Sequence, residues 1–158
     1  MESNLVKSKH EKLREGFVEW LEPYKFDFWG TFEFDPRKPI KDAMRAKQYF
    51  KNYVKGNLNL PGQVWPSYFM SVEHFKDNNF THIHFMIAGI CQGLSATEAG
   101  KVIGAPWWNK YHGYCYLEKF NPDMGAAGYL AKYVTKALCD WDVNLKSEHR
   151  KDYLLKFN

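Results

Sequence analysis

Residues 67–89 read SYFMSVEHFKDNNFTHIHFMIAG and alternate apolar with polar side chains on either side of the turn-forming KDNN. Alternation with period two is typical of strands that bury one face. The pattern therefore predicts two strands, over 67–75 and 81–89, joined as a β-hairpin.

Two histidines of the second strand, His82 and His84, are predicted to leave the same face, because successive side chains alternate between faces. Their Cβ atoms lie roughly 7 Å apart by the strand rise, so both imidazoles can bind one divalent ion. Glu73 faces the same way if the hairpin pairs across KDNN, and the His, His, Glu set suits Mn²⁺ or Mg²⁺. Rival third ligands are Glu33, Glu118, Gln63 and His74. A solvated strand face that holds no metal is the simpler alternative.

The chain around the hairpin predicts a regular order of elements. Helices are expected over 4–22, 39–55, 95–104 and 121–138, and further strands over 26–34 and 113–120. The βαββαβ centre indicates an α+β fold, namely a ferredoxin-like antiparallel sheet with helices on one face and the functional site on the other. The polar stretch after Asp140 is expected to be only weakly helical.

The composition indicates one globular domain. The 158 residues are 45% hydrophobic and 25% charged, and no apolar run approaches the roughly 20 residues of a membrane span. The first residues are too charged for a signal peptide, and three cysteines without CxxC spacing predict reduced thiols in the cytoplasm. We expect a single domain over 1–158, with its core over about 24–140, an N-terminal helix and a C-terminal tail over 141–158.

The helix predicted over 121–138 carries Tyr129, Lys132, Tyr133 and Lys136 along one face, since helical neighbours are three and four residues apart. A tyrosine hydroxyl ionises only near pH 10 and is a poor nucleophile at neutral pH. An adjacent ammonium group and a divalent cation both favour the phenolate and stabilise charge on a phosphoryl oxygen. The face could therefore attack a phosphodiester and store the bond as phosphotyrosine. An ordinary amphipathic surface has the same spacing.

The two motifs together resemble the HUH superfamily of rolling-circle replication initiators, the Rep endonucleases. The family's second motif, histidine-hydrophobe-histidine, is matched by residues 82–84, and its third, hydrophobe-x-x-Tyr-hydrophobe-x-Lys, by residues 130–136. An overlapping copy of the third motif at Tyr129 is similar to the paired tyrosines of microvirus-type initiators. Residues 28–32 are loosely similar to the first motif, and the resemblance covers about residues 26–138.

The resemblance implies an enzyme that nicks single-stranded DNA at a plasmid or viral origin and leaves a 3′-hydroxyl and a 5′-phosphotyrosine. Tyr133 is the first expected nucleophile and Tyr129 the second. Lys136 and Lys132 would neutralise phosphate charge. The implied ligands of Mn²⁺ or Mg²⁺ are His82, His84 and Glu73.

The expected partners are single-stranded origin DNA, as a strand or a hairpin, and a host or separate helicase and polymerase. A separate helicase is expected because the sequence contains no GxxxxGK[ST] phosphate-binding loop. No membrane partner is expected. A single-strand transposase of the IS200/IS605 type and a non-catalytic RRM-like nucleic-acid-binding module are the alternatives. Relaxases place the tyrosine before the histidines, which argues against that class.

Two surfaces are candidates for DNA contact. Net charge is only +4, but residues 36–55 carry seven basic side chains and one acid. The side chains expected to contact DNA phosphates are those of Lys41, Arg45, Lys47, Lys51 and Lys55. Trp107 and Trp108, interleaved with polar residues, could stack splayed bases. A plain solvated helix and two core tryptophans are the respective alternatives.

Overall fold

The structure is a computed structural model that describes residues 7–38, 40, 42–57, 66–75, 80–89, 93–102, 105–125, 128 and 140–153. Its helices and strands follow one another along the chain. In order they are α1 (Lys9–Leu21), β1 (Phe28–Phe34), α2 (Ala43–Asn57), β2 (Ser67–Phe75), β3 (Phe80–Ala88), α3 (Ala96–Val102), α4 (Ala105–Tyr111), β4 (Gly113–Lys119) and β5 (Asp140–Asn144).

The five strands form one antiparallel sheet in the order β4-β1-β3-β2-β5. The predicted α+β class and antiparallel sheet are confirmed. The prediction for the stretch after Asp140 is wrong, because β5 pairs with β2 from Asp140 to Asn144. The physical reason is that Trp141 and Val143 alternate with two aspartates that face lysines of α2, so a polar-looking segment has a strand pattern. The ferredoxin-like βαββαβ arrangement, a four-stranded unit with no place for β5, is not confirmed.

One face of the sheet carries the larger hydrophobic core, which is covered by α2, α3 and α4. Phe32 of β1 stacks on Trp108 of α4 with ring centroids 4.3 Å apart, and Phe50 of α2 packs on Phe32. Trp108 is 0% exposed. The sequence predicts a nucleic-acid contact and no helix at Trp107 and Trp108, whereas the structure has α4 there.

The opposite face is covered at one end by α1. Phe17 and Leu21 pack with Phe69 of β2 and Met86 of β3 in a second buried cluster. The expectation that helices cover only one face is therefore wrong. Phe69 and Met86 are apolar side chains on this face, so burying them requires a helix such as α1 over them.

Helices α1 and α2 are the longest of the described elements, with 13 and 15 residues. Helix α1 begins after Ser8, whose side chain accepts a hydrogen bond from the backbone of Glu11 while the Glu11 side chain accepts one from Ser8. It ends two residues before Pro23, as the sequence indicates. None of the described helices is long and apolar enough to cross a bilayer.

We predict that Trp108→Ala lowers the free energy of unfolding by about 3–5 kcal/mol, because it removes a fully buried indole and leaves a cavity beside Phe32. Urea denaturation monitored by circular dichroism measures the loss. Tyr111→Ala, an exposed aromatic of the same helix, is the matched control and should cost much less. Similar losses in the two variants would contradict the placement of Trp108 in the core.

A second prediction concerns alkaline pH. Burial raises the pKa of the Cys115 thiol to about 12 from its ordinary 9.0. As pH rises above 9, the unfolded chain loses this proton first, so stability falls with rising pH by up to about 1.4 kcal/mol for each pH unit. Urea melts between about pH 8 and about pH 11 should show a shallower decline for Cys115→Ala than for the unsubstituted chain. Equal slopes would contradict the buried thiol.

Candidate metal centre

Strand register brings polar side chains of β1, β2 and β3 together on one face. His82 of β3 is paired with Glu33 on one side and with Glu73 on the other. One step along β3, His84 is paired with Thr31 and Ser71. Directly paired residues of an antiparallel sheet share a face, with Cβ atoms about 4.5–5.5 Å apart. The sheet therefore places two short rows of polar groups beside each other.

Glu73, His82 and His84 each offer one ligand atom, and these atoms lie within 4.8 Å of one another. His84 Nε2 is 3.1 Å from Glu73 Oε2, and the His82 and His84 ring centroids are 5.9 Å apart. All three residues are partly buried. The structure thus brings together the three residues that the sequence indicates, in a cluster that could hold a divalent cation.

Thr31 holds the His84 ring from the other side. Its Oγ1 lies 3.2 Å from His84 Nδ1, so the two ring nitrogens face different partners. A hydroxyl can donate or accept, so Thr31 can satisfy Nδ1 in either tautomer. The Nε2 edge is then directed towards Glu73. Support of this kind at the second nitrogen is how proteins orient a metal-binding imidazole.

Electrostatics at His82 favour the neutral ring. Burial lowers the pKa of His82 below its ordinary 6.5, and the carboxylates of Glu33 and Glu73 partly oppose this shift. The neutral form is the one that binds metals. His82, which lies between Glu33 and Glu73, is therefore held in the neutral form that can bind a metal ion.

The rival third ligands are placed differently. Glu33 borders His82 but belongs to no cluster with both histidines among the described residues. Glu118 lies on the edge strand β4 and accepts a hydrogen bond from the Tyr116 hydroxyl. Gln63 lies outside the described residues, and of His74 only the backbone is described. The geometry favours Glu73.

The predicted tyrosine face is not part of the described structure. Residues 129–139, which include Tyr129, Lys132, Tyr133 and Lys136, lie outside the described residues. Their proposed roles stay predictions. Lys41 is also outside the described residues, and of Lys55 and Trp107 only the backbone is described. The proposed DNA contacts of these three residues stay predictions as well.

Two predicted phosphate contacts on α2 are engaged in ion pairs. Lys47 Nζ is 3.0 Å from Asp140 and Lys51 Nζ is 3.2 Å from Asp142, both on β5. Arg45 is exposed. The acidic partners offset the positive charge that the sequence predicts for this helix, so the α2 surface carries less free positive charge than its composition suggests.

Trp108 corrects another prediction. Its ring is buried, and its Nε1 donates a 3.3 Å hydrogen bond to the Glu33 carbonyl. The prediction that bases stack on Trp108 is therefore wrong, because no face of its ring reaches solvent. The hydrogen bond instead joins α4 to the strand that carries Glu33.

Exposed aromatics that the sequence analysis missed lie on the same face as the histidines. Tyr114 and Tyr116 of β4 pair with Glu33 and Thr31, and Trp141 of β5 pairs with Ser71. The alternation in GYCYLEK was a usable signal for the two tyrosines. Trp141 alternates with Asp140 and Asp142 in the same way, but the polar character of this stretch masks the strand pattern.

Comparison of the chain with protein-family models, with curated proteins and with solved structures finds no match. The class that fold and site define is an α+β protein with a five-stranded antiparallel sheet and a histidine-glutamate cluster suited to a divalent cation. The cluster lies on the part of the sheet face that α1 leaves uncovered.

We predict that His84→Ala and Glu73→Gln each weaken Mn²⁺ binding by at least about tenfold, because each removes one of three converging ligand atoms. Isothermal titration calorimetry with MnCl₂ measures the affinity. Glu118→Gln is the matched control, an acid of the same sheet face outside the cluster. If Mn²⁺ affinity were unchanged in Glu73→Gln but reduced in Glu33→Gln, the third metal ligand would be Glu33 and not Glu73.

Proposed function

We propose that the protein is a metal-dependent endonuclease that nicks and rejoins single-stranded DNA through a covalent phosphotyrosine, as an HUH-type initiator of rolling-circle replication of a plasmid or virus. The observation that carries the proposal is the convergence of ligand atoms of Glu73, His82 and His84 within 4.8 Å on one face of the sheet. The proposal includes a ferredoxin-like arrangement of the first four strands, which their order β4-β1-β3-β2 within the sheet supports.

The chemistry requires a phosphodiester to accept negative charge. A divalent cation held by the cluster, Mn²⁺ or Mg²⁺, would polarise the phosphoryl group and stabilise charge on its oxygens. The chain's own contribution is the orientation of the ligands. Thr31 fixes the His84 ring and burial keeps His82 neutral, so little reorganisation is needed when the substrate binds.

The nucleophile would be the phenolic oxygen of Tyr133 or of Tyr129. It attacks phosphorus, a new phosphorus–tyrosine oxygen bond forms, and the bond from phosphorus to the 3′ oxygen breaks. The phenol proton is lost on attack, and the departing 3′ oxygen takes up a proton to become a hydroxyl. Attack of a 3′-hydroxyl on the phosphotyrosine reverses these steps and joins the strands. Lys132 and Lys136 would favour the phenolate and neutralise phosphate charge.

Chain connectivity supports this assignment. Asp140 begins β5 opposite Val72, the residue that precedes Glu73 on β2. Tyr133 precedes Asp140 by seven residues, so a chain of this length could bridge at most about 25 Å between them. This reach supports the proposal, because a chain of that length is compatible with a tyrosine that approaches the metal cluster.

The RRM-like alternative is less well supported. Such a module would display aromatic side chains on its central strands. Here the outward positions of β3 are His82 and His84, and exposed aromatics lie on the edge strands. The transposase alternative would use the same site residues and differs in the DNA that it joins.

The proposal predicts a covalent protein–DNA adduct. Incubation with labelled single-stranded origin candidates and Mn²⁺, followed by denaturing electrophoresis, should give a shifted, metal-dependent band. The double variant Tyr129→Phe/Tyr133→Phe should lose the band altogether, and the single variants identify the phenol used. His84→Ala should reduce adduct formation by roughly a hundredfold or more, as for loss of an electrostatic stabiliser.

Tyr153→Phe is the matched control, since Tyr153 lies in the C-terminal part of the chain away from the motif, and it should retain the adduct. An adduct that persists in the double variant would refute the tyrosine mechanism. DNA binding without an adduct across the candidate substrates would favour the RRM-like module.

A further inference from the structure

A single row of side chains crosses all five strands at the level of His84. In sheet order its members are Tyr116, Thr31, His84, Ser71 and Trp141. Neighbouring strands are about 4.8 Å apart, so the two ends of the row are separated by roughly 19 Å. The next row places Tyr114, Glu33, His82 and Glu73 side by side.

The two ends of these rows are exposed aromatic rings. Trp141 is 42% exposed, Tyr116 is 38% exposed and Tyr114 is 53% exposed. Edge-to-face contacts hold two of these rings in place. The ring centroids of Trp141 and Trp20 are 6.1 Å apart at an interplanar angle of 79°, and those of Tyr116 and Trp29 are 5.8 Å apart at 68°. The three rings lie on both sides of the metal cluster, and an exposed aromatic ring offers a plane on which a nucleobase can stack.

A cleft of about 630 Å³ continues from the β4 end of the second row. Glu33 and Tyr114 line its inner end, and Arg37, Lys38 and Lys110 are among its other lining residues. Arg37 is paired with Asp35 through three charge-assisted hydrogen bonds of 2.9, 3.0 and 3.2 Å. Lys38 and Lys110 are exposed. The cleft therefore adds positive charge where the row of aromatic and polar groups ends.

We propose that single-stranded DNA crosses this face at right angles to the strands, with bases stacked on Trp141 at one end and on Tyr114 and Tyr116 at the other, and its backbone continuing into the cleft beside Lys38 and Lys110. The inference rests on the proposed function, because it places the strand over the metal cluster. It assigns binding residues that the sequence motifs do not include.

The chemistry of the surface matches a polynucleotide. Bases stack on aromatic rings without regard to sequence, and lysines neutralise phosphates. A protein partner would need a continuous apolar patch, whereas here the aromatic ends are separated by polar residues, the partly buried Thr31 and His84 and the buried Ser71. The acidic centre, with Glu33 and Glu73, would repel phosphate unless a divalent cation is bound, so binding should strengthen with Mn²⁺.

Fluorescence anisotropy with a labelled oligo-dT tests the inference. The protein carries Tyr129→Phe/Tyr133→Phe, so that binding is measured in Mn²⁺ without strand cleavage. Trp141→Ala and the pair Tyr114→Ala/Tyr116→Ala should each weaken binding by roughly five- to a hundredfold, the loss of one stacked base. Lys38→Ala/Lys110→Ala should weaken binding and lower the dependence on salt by about two phosphate contacts.

Matched controls lie on the helices that cover the other face. Met44→Ala on α2 and Lys101→Ala on α3 alter exposed side chains there and should leave affinity unchanged. Trp141→Leu is a second variant, which retains apolar packing against Phe17 but removes the stacking plane. Thermal melts verify that each variant is folded. The same variants made in the chain that keeps both tyrosines, measured in EDTA, should show the same order of oligo-dT affinities, which removes any dependence on the Tyr129→Phe/Tyr133→Phe background.

The outcomes separate this inference from the proposed function. Affinity that is unchanged in all the aromatic variants, or no binding of oligo-dT at all, overturns the inference even if the adduct assay is positive. Weakened binding in these variants with no adduct on any substrate supports the binding surface and refutes the nicking activity.

Discussion

The pairing of β3 with strands on both of its sides is the constraint on which the rest of the structure depends. Glu33 and Glu73 meet at His82 only because β1 and β2 pair with β3 in one register. A slip of one residue on any of these strands would turn its polar side chains into the core and its apolar ones to the opposite face. Register is therefore maintained by the core: Ile83 and Phe85 are buried under α2 and α4, and that burial fixes where the histidines point.

The histidine face is divided along the strands. Phe69 and Met86 occupy one end and are covered by α1, while the other end keeps partly buried polar groups that satisfy one another. Burying such groups without partners would cost several kcal/mol, so the hydrogen bonds of His84 to Thr31 and Glu73 offset the cost of partly burying the ring. The same hydrogen bonds orient the ring for a cation. Stability and the candidate function therefore use the same contacts.

Charge is distributed in a way that composition does not reveal. Lys47 and Lys51 belong to the most basic stretch of the chain, yet they face the aspartates of β5. Partly exposed ion pairs of this kind contribute about 0–1 kcal/mol each, so backbone pairing to β2 and the packing of Trp141 and Val143 hold most of β5 in place. Among the described residues, Lys38 and Lys110 add positive charge in the cleft at the opposite edge of the sheet. The number of basic residues in a helix therefore does not show how much of its charge is left unpaired.

Local periodicity was enough to predict the β2–β3 hairpin, the shared face of His82 and His84, and the position of Glu73, because alternation along a strand and pairing across a short turn are properties of adjacent residues. Pairing between distant segments decided the rest. Thr31 and Trp141 reach the cluster from 53 positions before and 57 positions after His84, and Trp108 is buried because Phe32 lies beneath it. Gly30 shows the same limit, since a Cβ there would lie 2.7 Å from the Phe85 ring, a contact that only the assembled sheet creates. Such contacts depend on long-range register and helix packing, which no window of neighbouring residues encodes.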